Sequence, residues 1–252
     1  MGFVLNHRYH RELLEDSNVC KIVKQLILSY PITEETNNLD YEYARYGTDI
    51  LEKGNDNDFA ADLNRKLIED FNKGYLHGNF DGIYSVLVKK YRNVIWDDFE
   101  SAFVSDDYYG FLFQIKDEIG SGTSFGVGAL FQVKDDKVQN MCKKYPGKAP
   151  LRVAQMIPVF KDGHTFSDWF MWMLDEFGDQ KDVLDSLHAN MGTFTWGGSI
   201  IPLLRKKMEC LNGIKNHKRV EVREWVEMCL QEIEEDMRRE LNREEYMRLH
   251  YN

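Results

Sequence analysis

The sequence predicts an all-α protein assembled from short helices stacked in pairs. Apolar residues recur at three- and four-residue spacing through almost every stretch that Gly or Pro does not punctuate. No segment alternates with period two for long enough to form a sheet, and the breaks between helical stretches are tight. Of 252 residues, 43% are hydrophobic and 29% charged, a balance that excludes global disorder. No apolar run approaches the ~18 residues that a membrane helix needs.

Taken in order, Asp16 or Ser17 caps a helix through Val19, Ile22, Val23, Leu26 and Ile27, which Pro31 stops. Leu39, Tyr43, Tyr46 and Ile50 form the next stripe, closed by Gly54, and Tyr41 joins it as a half-exposed ring. Asn57 or Asp58 caps Phe59, Leu63, Leu67 and Phe71, up to Gly74. Phe80, Ile83, Leu87 and Tyr91 mark a fourth helix, and short helices follow over 96–104 and 108–119. Ala129–Tyr145 and Ala149–Phe160 read as two arms joined at Pro146-Gly147, with Pro150 in a first helical turn where its missing N–H costs nothing. Thr165 or Ser167 starts a helix with Trp169, Phe170, Met173, Leu174 and Phe177, ended by Gly178. Asp179 and Ser199 cap two more. In the last helix Val222, Trp225, Val226, Cys229, Leu230, Ile233, Met237 and Leu241 share one face, and Glu234–Arg238 and Glu235–Arg239 are spaced for i,i+4 pairing.

The clearest interruption is Gly120-Ser-Gly-Thr-Ser-Phe-Gly-Val-Gly128. It divides the chain into an N-terminal helical region over 1–119, a Gly-rich linker over 120–128 and a C-terminal helical region over 129–252, the alternative being one continuous helical domain. The glycines do not form a phosphate loop: no Gly-Lys-Ser/Thr follows them, and the HRD and DFG elements of a kinase are missing.

Three runs carry a family likeness. They are Ala149-Pro-Leu-Arg-Val-Ala-Gln-Met-Ile-Pro158, then Trp172-Met-Leu-Asp-Glu-Phe-Gly178 with Val183-Leu184, then His217 with Glu221-Val-Arg-Glu-Trp-Val226. The region from Ala149 to Glu240 resembles HEAT-type repeats and the helical C-terminal tails of large bacterial multidomain proteins, including ATPase-bearing and defence proteins. The resemblance implies an α-solenoid of antiparallel helix pairs, with an irregular bundle for the N-terminal half. It further implies a fragment or subunit of a larger assembly, with any ATPase chemistry lying elsewhere.

The chemistry legible in the chain is sparse. Met1 to Arg8 lacks the basic-then-apolar order of a signal peptide, and Asn6 stands where a myristoylation pattern wants Ser or Thr. Cys20, Cys142, Cys210 and Cys229 are dispersed without a CxxC, as expected of free thiols in a cytoplasmic protein. His7 and His10 share a helical spacing, but two histidines do not make a zinc site, and no metal or cofactor is expected. Asp97-Asp98 and Asp106-Asp107 are adjacent carboxylates, which on a helix diverge by about 100° and serve better as caps and solvated groups than as a catalytic pair.

A non-catalytic scaffold that recognises a protein partner is therefore the leading expectation. Its candidate surface is the aromatic loop of Phe194 and Trp196 together with the basic cluster Arg205, Lys206, Lys207, Lys218, Arg219 and Arg223, which Lys215 extends. The alternative is a nucleic-acid-acting enzyme, since some HEAT-like proteins are DNA glycosylases. The net charge of −10 opposes it through long-range repulsion of polyanions.

Overall fold

The computed structural model describes residues 14–30, 37–73, 82–120, 128–161, 165–192 and 198–251. Among them are thirteen helices and no strand. In chain order they are α1 (Ser17–Ser29), α2 (Asn37–Lys53), α3 (Asn57–Asn72), α4 (Ile83–Lys90), α5 (Arg92–Val104), α6 (Tyr109–Ile119), α7 (Ala129–Gln132), α8 (Lys137–Lys144), α9 (Ala149–Ala154), α10 (Asp168–Phe177), α11 (Lys181–Gly192), α12 (Ile201–Ile214) and α13 (Val220–Tyr251). They gather into two compact units, α1 to α8 and α9 to α13.

In the first unit α3 and α4 are central, each packed against several other helices. Phe59, Leu63, Leu67 and Phe71 give α3 one apolar stripe, and all four are buried as the spacing predicts. Their partner is an aromatic cluster in which Tyr84 of α4 lies 6.0 Å from Phe71, 6.2 Å from Phe99 and 5.6 Å from Phe111, measured between ring centroids. The Tyr84 hydroxyl donates to Asn64 Oδ1 at 2.6 Å, which satisfies both oxygens inside the core. Two caps are settled by hydrogen bonds. Asp16 accepts from the Asn18 and Val19 N–H groups at the start of α1. At α3 the cap is Asp56, one residue before Asn57 and two before Asp58, the two expected caps. Asp56 also pairs with Lys24 of α1 at 2.7 Å, and the Lys24 hydrogen bond is the largest influence holding its carboxyl below the usual range.

Two expectations for the middle of the chain need correction. Ala129–Tyr145 is not one helix: Val133 is extended, and Asp135 turns to accept from the Lys137 N–H, so the segment splits into α7 and α8. Nor do these helices join the later ones, because α7 packs on α4 and α6 and both belong to the first unit. Most of the Gly-rich stretch, 121–127, lies outside the described residues, but its ends meet. A Cβ on Gly128 would sit 2.0 Å from the Gly120 carbonyl oxygen, a spacing that no other residue could occupy.

In the second unit α9 ends at Ala154 and does not run on to Phe160. Pro158 has no N–H to continue a helix and drives the preceding Ile157 away from helical geometry. The chain instead makes a short antiparallel excursion. Ser167 N–H donates to the Val159 carbonyl and Lys161 N–H to that of Thr165, both at 2.9 Å, while Phe160, Phe166 and Phe170 stack in sequence. Of the two candidate caps for α10, Ser167 is the one used; its Oγ accepts from Phe170 N–H at 3.0 Å. At the far end of α10, Gly178 lets α13 approach, since a Cβ there would fall 2.5 Å from Val222 Cγ2. Asn190 of α11 donates to the carbonyls of Ala154 and Ile157, tying α11 to the end of α9.

Candidate functional site

The last three helices shape a cleft in the second unit. Leu187 and Met191 on α11, Ile201, Leu204 and Leu211 on α12, and Val222, Trp225, Val226, Cys229 and Ile233 on α13 are buried against one another. Helix α13 outruns its neighbours, so beyond Ile233 its inward face borders a cleft of about 380 Å³. Met191, Ile200, Leu204 and Ile233 line the apolar part of the cleft.

Charged groups on its walls are arranged in pairs. His188 Nε2 stands 3.0 Å from Glu232, Arg239 lies 2.8 Å from Asp236, and Arg243 donates to both oxygens of Glu240 at 2.8 and 2.6 Å. The remaining cation is Lys207, only 5% exposed, whose Nζ donates to the Met191 carbonyl at 2.7 Å near the C-terminus of α11. Burial pushes its pKa down to about 8, against a counteracting pull from Asp236. A cation there complements the negative end of the helix.

Lys207 was expected at the surface, and the structure moves it inside. The signal was present in the sequence: Lys207 falls three residues after Leu204 and four before Leu211, on the apolar stripe of α12. The rest of the basic cluster divides in two. Arg205, Lys206 and Lys215 are exposed. Arg219 caps the end of α10 by donating to the carbonyls of Asp175 at 2.9 Å and Glu176 at 3.1 Å, and it lies 3.3 Å from Asp179. Lys218 pairs with Asp175 at 2.7 Å, and that hydrogen bond is the largest influence lowering the Asp175 pKa. His217 Nε2 is 3.3 Å from the same carboxylate. Arg223 donates to the carbonyls of His217 and Lys218, closing the turn between α12 and α13. These residues are brought together, but as the clasp of a helix junction. Phe194 and Trp196 lie outside the described residues, as do His7 and His10.

The other candidates are scattered. Asp97 and Asp98 are exposed, Asp98 within 3.4 Å of Arg65, and Asp106 and Asp107 lie in an exposed turn where the Ser105 hydroxyl accepts from the Asp107 N–H. Tyr43 stacks on Tyr30 at 4.1 Å and is half-buried, as is Tyr46. All four cysteines are free, and burial raises the Cys142 and Cys229 thiols to about 12, which leaves them inert as nucleophiles. Among the described residues no group of three His, Cys, Asp or Glu side chains could hold a metal ion, and no helix is long and apolar enough to cross a membrane.

The second half of α13 is the feature that sequence reasoning passed over. Ile233 is its last buried residue; from Glu234 to His250 every residue is exposed or half-buried. That stretch still carries Leu241, Tyr246, Met247 and Leu249, exposed by 49%, 56%, 47% and 67%. Its signal was the continuation of helix-forming residues after the apolar stripe thins. Comparison with protein families, with curated proteins and with solved structures finds no match.

Proposed function

We propose that the chain is a non-catalytic helical recognition module, with its later helices stacked in HEAT-like pairs and the second half of α13 serving as the docking arm for a protein partner. In this reading it works in the cytoplasm as a subunit or piece of a larger bacterial assembly. The observation that carries the proposal is the exposure of α13 from Glu234 to His250. Most helices in proteins gain their stability from an amphipathic face packed on something else, and this stretch buries no side chain among the described residues. Four large apolar side chains on a solvated arm are what a partner would cover. The charge-balanced cleft supports the same reading, because its carboxylates are taken up in pairs with His188, Arg239 and Arg243.

The glycosylase alternative needs a basic face. Lys218, Arg219 and Arg223 are engaged by carboxylates and helix-end carbonyls, and Lys207 is buried, which weighs against it.

The test is affinity capture from the native host with the wild type and a Leu241→Glu/Leu249→Glu variant, each checked for helix content. Proteins held by the wild type and lost by the folded variant support the arm as a docking element. Identical captured sets from both would overturn it.

A further inference from the structure

The arm's charges are distributed unevenly around its axis. At 100° per residue, Asp236, Glu240 and Arg243 lie on the side that faces the cleft, and their ion pairs, Asp236–Arg239 and Glu240–Arg243, are made there. Another strip contains Glu234, Met237, Arg238, Leu241, Glu244, Glu245 and Arg248. On it Glu234, Arg238 and Arg248 form no ion pair among the described residues. The sequence spacing of Glu234 and Arg238 had suggested an i,i+4 bridge, but the bridges that form are on the cleft side.

The strip is self-complementary in one orientation. Laid antiparallel on a second copy about a twofold axis at Leu241, it sets Glu234 opposite Arg248 of the partner subunit and Arg238 opposite Glu244 of the partner subunit, with the two Leu241 side chains meeting at the axis. A parallel in-register arrangement would put each charge against its own kind. Moving the antiparallel axis two residues back, to Arg239, would oppose Glu234 with Glu244, so charge selects the antiparallel direction and favours an axis at Leu241 over that shift.

We infer that two copies of this chain associate through the second halves of α13, antiparallel, with Leu241 at the symmetry axis. The inference rests on the arm being a docking element and names its partner as another copy of the same chain. The overlap from Glu234 to Arg248 is about 21 Å of helix, so the contact belongs among small, reversible interfaces. The arrangement is isologous and closes at two subunits, which limits association to a dimer.

Cysteine cross-linking tests the register directly. In a Cys20→Ser background, where the other three cysteines are buried, Leu241→Cys should give a disulfide-linked dimer under mild oxidation. Tyr246→Cys should not, because its two copies would lie about 15 Å apart along the seam. Sedimentation of the wild type should show dimer that Glu234→Arg weakens and that adding Arg248→Glu restores. A wild type that remains monomeric at high concentration, or equal cross-linking from both cysteine variants, would overturn the inference. If host capture still depends on Leu241 while the chain is monomeric, the recognition reading stands and only the partner assigned here is wrong.

Discussion

Arg92 and Asp135 face each other across a 43-residue separation in sequence, the guanidinium Nε 2.7 Å and Nη2 3.0 Å from the carboxylate. Arg92 is only 4% exposed, donates to the Leu130 carbonyl at 3.2 Å and lies 4.7 Å over the Trp96 ring. Burial lowers its pKa and Asp135 opposes that shift, so the pair fixes the α7–α8 segment to α5 while keeping a buried cation compensated.

Removing one member should cost more than removing a surface bridge. Asp135→Ala is expected to destabilise the fold by roughly 3 kcal/mol, toward the low end for a broken buried pair because Asp135 is itself partly solvated. Urea unfolding measures it. A loss of only a few tenths of a kcal/mol, as for an exposed pair, would mean that Arg92 is satisfied without its carboxylate.

This pairing also marks where sequence reading stops. The helical stripes of α3, α10 and α13 were legible because burial of one face at 3.6-residue spacing is a local property, and Phe59, Phe170 and Trp225 are buried as expected. The assignment of α7 and α8 to the first unit was not legible, because it depends on what Leu130, Val138 and Met141 meet, a non-local fact. The clasp around Asp175 was hidden for the same reason: Lys218 and Arg219 look like free cations until α10 is brought beside them. Lys207 is different. Its place on the apolar stripe of α12 was visible, and the charge of its neighbours in sequence masked it.

Trp225 separates packing from polarity within one residue. It is 5% exposed, its ring 6.4 Å from that of Phe170, and its indole N–H is buried with no acceptor among the described residues. Trp225→Ala should cost ~3–5 kcal/mol through lost contacts and the cavity left behind. Trp225→Phe should cost clearly less, since it removes an unpaired donor along with the lost ring volume. Denaturant titration of both variants decides it, and equal losses would show that the indole N–H does have a partner.

Lys207 should leave a signature in the pH dependence of stability. Its folded pKa of about 8 lies below the ordinary lysine value of 10.5, so between these limits the unfolded chain holds more protons than the folded one. Stability therefore rises with pH across that window, by at most about 3 kcal/mol for a shift of this size, and the deficit is fully present below about pH 8. Burial raises the Tyr43 and Tyr91 pKa values, which favours the opposite trend above their ordinary range, so the useful interval ends near pH 9.5. Relative to Lys207→Met, the wild type should gain stability from pH 8 to 9.5. Parallel stability profiles for the two proteins would mean that the amine keeps an ordinary pKa in the fold.

Nucleic-acid binding is the remaining test of the scaffold reading, and the placement of the cations sharpens it. Of the seven basic residues from Arg205 to Arg223, Arg205, Lys206 and Lys215 are exposed without a carboxylate or helix end engaging them in the clasp, and Lys218 is exposed but paired with Asp175. Three phosphate contacts release about three counterions, giving weak, sequence-independent affinity that falls with salt. The chain's net charge of −10 lowers it further. A short DNA or RNA duplex should therefore show no retention at about 0.15 M salt, where nonspecific Kd values are already ~10⁻⁴–10⁻⁶ M. Fluorescence anisotropy with the wild type and an Arg205→Glu/Lys206→Glu/Lys215→Glu variant gives the answer. This set leaves the buried Lys207 and the Asp175 clasp intact, so the variant should keep its fold. Tight binding by the wild type that the triple change abolishes would displace the scaffold reading in favour of an enzyme acting on nucleic acid.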